Sequence, residues 1–288
     1  MAGSYQPLEL YRPTEETVRD LYERLTDVFQ TIHLCDHEGP VVLPQELSLS
    51  RMDLTADLWF SKDADISSLI CLFRGSMLPR HYKRREMPGK EDHLFEFVTK
   101  EISSKVYDKI YELTQNDRCP KKYRDRKVLR LEVSLKREAF LDRLDLKRKD
   151  DLYTMLKAGY DQVHSTIDDF LDKLFPAQGV HLPYSEAKER IQTSKLDADK
   201  KEQMLFLLKK TSCGAGLDTA AQKWKQTYHI VDSRKFHALM ERFSKLRVDP
   251  ITLTSRETQE VPCLRTLIQQ RWPRVAFGPP RMPSCVVE

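Results

Sequence analysis

Apolar residues recur at three- and four-residue steps over three stretches of the chain, and that spacing predicts helices. In the first stretch Val18, Leu21, Leu25, Val28, Phe29 and Ile32 make one stripe. Pro13-Thr14-Glu15-Glu16 precedes it with a cap residue and first-turn acids, which suit the helix dipole. The second stretch, 92–114, carries Phe95, Val98, Ile102, Val106, Ile110 and Leu113 on one helical face. The third runs from Asp151 to Phe175, where Leu156, Tyr160, Val163, Ile167, Phe170 and Leu174 step as a heptad seam. So short a seam is expected to pack within the molecule, because short helices need tertiary burial.

Two stretches resist a reading by period. In 40–79, Leu58-Trp59-Phe60 and Ile66 to Phe73 suit strands and buried helix equally well. In 128–136, Leu129, Leu131, Val133 and Leu135 alternate with Arg130, Glu132, Ser134 and Lys136, the period of a half-buried strand. Its Lys, Arg, Glu and Leu content favours helix, and helix is the reading adopted. Beyond Pro176-Ala177-Gln178-Gly179 the predicted helices shorten. Asp197 opens one that stops at Gly214-Ala215-Gly216, and another runs over 218–246 with a change of phase near Asp232-Ser233.

The expected fold is mainly α. It is an irregular multi-helix bundle with a short heptad-seam helix, short strands admitted within 40–79, and a disordered Pro/Arg-rich C-terminal tail. The expected divisions are an arm (1–13), a helical N-terminal domain (14–175), a linker (176–183), a smaller helical region (184–272) and the tail (273–288).

Composition sharpens this picture. Only 9 of 288 residues are Gly, well under the ordinary share, so phosphate-cradling glycine loops are scarce. Neither a phosphate-loop Gly-Lys-Ser/Thr pattern nor a paired-glycine dinucleotide fingerprint occurs. Charged residues make 32% of the chain, yet 48 cations against 44 acids leave a net charge of only +4. Attraction to a polyanion must therefore come from local clusters. The start of the chain carries no basic leader with an apolar run, no stretch is long and apolar enough for a membrane span, and the six cysteines are widely spread. The expectation is an intracellular chain, cytoplasmic or nuclear, with reduced thiols.

Candidate chemistry is thin. His33, Cys35 and His37 alternate, but a structural zinc site needs four ligands and no second pair exists. Asp197-Ala198-Asp199 opens like a calcium loop, but Glu202 and Leu208 stand where Gly and Glu are required. No nucleophile elbow or catalytic pair is visible, and no cofactor or metal is expected. The strongest functional signal is positive charge. Arg80, Lys83, Arg84 and Arg85 crowd one segment, and Lys121, Lys122, Arg124, Arg126 and Lys127 crowd another. These are the expected partner-binding residues, suited to an acidic surface. A non-catalytic scaffold or adaptor that binds other proteins, in a setting such as the cytoskeleton, is the first expectation. The alternative is an RNA-binding helical module using 80–90 and 118–130, with Tyr82 and Tyr123 as stacking residues. An enzyme without a recognisable motif stands third.

Overall fold

The computed structural model describes residues 13–31, 35–36, 39–40, 48–60, 62, 64–253 and 261–271. The expected arm apart from Pro13, residues 41–47 of the 40–79 stretch, His33, His37 and the 273–288 tail lie outside them. The mainly-α expectation is overturned, because the structure is 52% helical and 18% strand, with a five-stranded antiparallel sheet. Its strands are β1 (Arg51–Phe60), β2 (Lys83–Arg85), β3 (Leu94–Val98), β4 (Ile102–Asp108) and β5 (Lys127–Lys136). They lie in the order β1-β5-β4-β3-β2, every neighbour antiparallel.

Most of the 92–114 helix is replaced by the β3–β4 hairpin. Phe95, Val98, Ile102 and Val106 match helical spacing only because the turn at 99–101 resets the alternation between two strands. Thr99 N donates to Ile102 O at 2.7 Å, and the Thr99 hydroxyl accepts from Glu101 and Ile102 N–H groups. Aromatic and β-branched side chains also fit a pleated, half-buried surface. The helical reading of 128–136 is overturned as well. There the two-residue alternation prevails over composition, since β5 pairs on both sides and buries Leu129, Leu131, Val133 and Leu135 on one face. Propensity is a weak prior against packing of that kind. Within 40–79 the chain forms β1 and then helix α2 (Ile66–Arg74), capped by the Asp65 side chain on the Ser67 and Ser68 amides. Helix α1 (Glu15–Thr31) occupies the first predicted stretch.

One face of the sheet is apolar, with Met52, Leu54, Ala56 and Leu58 of β1 beside Leu129 to Leu135 of β5 and Phe95, Phe97 and Val106. Helix α2 and the long helix α5 (Leu152–Leu174) cover this face. The lower part of the heptad seam, Val163, Ile167, Phe170 and Leu174, is buried in that core. Gly159 marks the close approach of α5 to β1, since a Cβ there would lie 2.5 Å from Met52 Sδ. Helices α3 (Lys109–Gln115) and α4 (Arg137–Arg143) follow β4 and β5.

The same core continues into α6 (Tyr184–Thr193), α7 (Ala198–Ser212), α8 (Leu217–Thr227), α9 (Ser233–Lys245) and α10 (Leu264–Arg271). The stretch 176–183, expected as a linker, is threaded into this core. Ala177, His181 and Leu182 are buried, and Val180, His181 and Pro183 make single bridges to Val248, Val261 and Leu253. The element predicted over 218–246 breaks at Tyr228–Asp232, where the Asp232 side chain caps α9. Helix α10 returns to α5 and β1, adding Leu264 and Ile268 to the core and an Arg265–Asp172 ion pair.

Candidate anion-binding surface

The second face of the sheet carries charge, and the strand register arranges it in rows. Thr55, Glu132, Lys105, Glu96 and Arg85 are successive cross-strand partners from β1 to β2. Lys105 reaches Glu132 at 3.3 Å, Arg85 reaches Glu96 at 3.4 Å, and Ser103 donates to Glu96 at 2.8 Å. In the neighbouring row Arg130 grips Asp57 through two hydrogen bonds of 2.5 and 2.6 Å, while Tyr107 donates to Glu132 at 3.0 Å. Burial opposes the Arg130 charge, but the Asp57 carboxylate outweighs it and holds the guanidinium above its usual pKa. Burial and the Glu132 charge together push the Tyr107 phenol up, so it stays protonated. Positive and negative groups alternate along the rows, which makes this face a self-neutralised platform.

Over one end of this platform the chain from α3 to β5 folds back. Asp108 caps α3 by accepting from the Ile110 and Tyr111 amides at 3.0 Å each. Lys109 is tied down by Glu112 at 2.5 Å. Ile110 and Val128 then form a small apolar cluster with Trp59, Cys119 and Tyr123, separate from the main core. A 3₁₀ turn over Lys121–Tyr123 follows Pro120, and Tyr123 N–H donates to Pro120 O and Arg126 N–H to Tyr123 O, both at 2.9 Å. The apolar cluster and these turns fix the backbone while the cations point outward. Lys121, Lys122, Arg124 and Arg126 are exposed, and Lys127 is half-buried where it opens β5. Among the described residues none of these five has an ion-pair partner. Lys122 instead holds its ammonium 4.7 Å from the centre of the Tyr123 ring.

The other predicted segment is used differently. Arg84 bonds Ser76 O at 2.9 Å and Asp218 at 2.7 Å, pinning the sheet edge to the start of α8. Gly216 makes room for it, since a Cβ there would lie 2.3 Å from the guanidinium. Arg85 faces Glu96, while Arg80 and Lys83 are exposed. Tyr82 packs its ring on Phe97 and Phe170 at 5.3 and 5.8 Å, and burial raises its pKa. From Arg85 to Lys127 the register spans three strand spacings and five residues of β5, roughly 22 Å. The two basic segments therefore remain separate. The sequence reading missed Trp59, Asp57, Lys105 and the paired state of Arg130. The alternation of Asp53, Thr55, Asp57 and Trp59 with apolar residues was the available signal for the first two.

A second buried polar group lies between 176–183 and 247–253. His181 Nδ1 donates to Ile251 O at 2.9 Å and sits 3.5 Å from Asp249 Oδ1. That carboxylate also accepts from the Ile251 amide at 2.8 Å. Burial raises the Asp249 pKa to about 6, against the pull of His181 and the amide.

No family model, no curated protein and no solved structure matches this chain. Its chemistry must therefore be read from its own side chains. Among the described residues no group of His, Cys, Asp and Glu is arranged to hold a metal ion. Asp197 of the calcium-like run is engaged by Lys200 at 2.5 Å. No helix among the described residues is long and apolar enough to cross a membrane. Lys121, Lys122, Arg124, Arg126 and Lys127 form a dense run of cations outside any ion pair among the described residues, a chemistry suited to anions.

Proposed function

We propose that this chain binds nucleic acid, with Lys121, Lys122, Arg124, Arg126 and Lys127 as its phosphate contacts. One observation carries the reading. The platform cations Arg85, Lys105 and Arg130, and Lys109 beside them, are each matched by a carboxylate, whereas the 121–127 cations are held out together with only the exposed Asp125 among them and no ion pair. Clustered like charges repel one another, and the arrangement gains nothing for the fold from ion pairing. A polyanion would relieve that repulsion and release its own counterions on binding. A rigid support beneath the cluster lowers the ordering cost at binding. Cys119, Cys213 and Cys263 are outside any disulfide, which fits a reducing intracellular compartment.

The test is the salt dependence of binding to an oligonucleotide. About five phosphate contacts give a slope of log affinity against log salt of about −3.5 to −4.5. Replacing Lys121, Lys122, Arg124 and Arg126 together by Glu should remove most of that slope and leave the melting temperature within a degree or two. Unchanged affinity in the folded variant would defeat the proposal. Binding of an acidic polypeptide in place of nucleic acid would return the chain to the scaffold reading.

A further inference from the structure

We infer that the ligand is single-stranded and that one of its bases stacks on Tyr123; this rests on the reading of the 118–127 segment just proposed. The first argument is shape. The cations occupy a 3₁₀ turn and the loop leading into β5, a compact knuckle folded by three backbone hydrogen bonds. Proteins that read duplex DNA commonly lay a helix or a two-stranded ribbon in the major groove. Here the preceding helix α3 spans only Lys109–Gln115 and ends before the cations begin. A knuckle suits a flexible strand that bends around it.

The second argument is the aromatic ring set among the charges. Tyr123 is half-buried, anchored on Trp59 with ring centres 5.9 Å apart and tilted by 55°, and backed by Ile110 and Val128. The ring is thereby fixed in direction at the surface, between Lys122 and Arg124. Its present companion in solvent is the Lys122 ammonium at 4.7 Å. A cation over an exposed ring is weakly held, and a stacked base is held more strongly. An incoming nucleotide can displace the ammonium with its base and receive that ammonium on its phosphate, so the ring exchanges a cation for a base and the cation exchanges a ring for an anion. Tyr82, by contrast, is closed off between Phe97 and Phe170.

The test uses the full chain and fluorescence anisotropy with four labelled probes: a twelve-nucleotide uridine RNA, the matching thymidine DNA, a twelve-base-pair duplex and a glutamate polymer. The two single strands distinguish RNA from DNA as the source of the shared chemistry. At least one of them should bind about tenfold more tightly than the duplex. Tyr123→Phe should bind as the unaltered chain does, and Tyr123→Leu should lose about tenfold in affinity. Equal affinity for duplex and single strand, or full affinity in Tyr123→Leu, overturns the inference. The proposed phosphate contact then still stands if the fourfold charge reversal abolishes binding. Binding of the glutamate polymer alone overturns both. Where Tyr123→Leu fails to fold, ultraviolet cross-linking of a 4-thiouridine strand decides. A cross-link at Tyr123 supports the inference, and one confined to other residues overturns it.

Discussion

Arg130 and Asp57 face each other across β5 and β1 in a two-pronged ion pair, with side chains only 9% and 12% exposed. Desolvation makes such a pair roughly neutral for stability as a unit but costly to halve. Asp57→Ala should therefore destabilise the fold by about 3–5 kcal/mol. Exchanging both residues for apolar ones, Asp57→Leu with Arg130→Met, should cost much less. Urea unfolding of the single and double variants measures the difference, and a loss under about 1 kcal/mol in Asp57→Ala would mean the pair behaves as a surface bridge.

Gly179 tests how the 176–183 stretch is threaded. A Cβ at this position would lie 2.0 Å from the Val248 carbonyl carbon and 2.3 Å from Asp249 N, both backbone atoms that cannot rotate away. Gly179→Ala should cost more than about 3 kcal/mol or prevent folding, because overpacking here has no flexible partner. Gly214, whose added Cβ meets open space at φ +83°, is the control. Gly214→Ala should cost about 1–2 kcal/mol, the strain of a left-handed residue alone. Comparable melting temperatures for the two variants would contradict the close approach.

The buried Asp249 makes a definite pH prediction. Its pKa is raised from 3.8 to about 6 in the folded chain. The folded state thus binds this proton more tightly than the unfolded one. The contribution is fully present below about pH 4 and is lost as pH rises through about 6. Asp249→Asn keeps an acceptor for the Ile251 amide but cannot ionise. Relative to the unaltered chain it should gain stability as pH rises from 4 to 7, by on the order of 2 kcal/mol. Melting curves of both proteins across that range decide it, and parallel pH profiles would exclude the assignment.

Ile167 is 2% exposed at the centre of the α5 seam. Ile167→Asp should cost about 3 kcal/mol or more by placing an unpaired charge against the sheet. Calorimetry that finds the variant melting within two degrees of the parent would show that α5 does not rest there.

Helices with one uninterrupted stripe were legible in the sequence, as Val163, Ile167 and Phe170 illustrate, because cap and period agree over the whole element. The sheet was less so. Leu129 to Leu135 displayed the strand period openly, but local composition argued for helix, and only pairing to β1 and β4 settles the contest. Phe95 to Val106 displayed a false period because a hairpin turn shifts the phase between two strands. For the candidate site, the cations of 121–127 were visible as a run. That they are unpaired was not, because it depends on Asp57, Glu96 and Glu132 being committed elsewhere, and those partners lie on strands distant in sequence. Arg84 shows the converse, a cation from a visible run whose partner Asp218 no local pattern could indicate.

The strand order also dictates a schedule. β1 is complete at Phe60, yet its only described strand partner is β5, whose register runs from Lys127 opposite Phe60 to Lys136 opposite Arg51. At ordinary elongation rates the ribosome needs roughly 4–15 s to travel from Phe60 to Lys136. Throughout that interval a ten-residue strand with Met52, Leu54, Ala56 and Leu58 on one side has no ladder to join. Nascent chains halted before residue 127 should accordingly be the aggregation-prone species of this protein, and those extended past Lys136 the ones that begin to resist proteolysis.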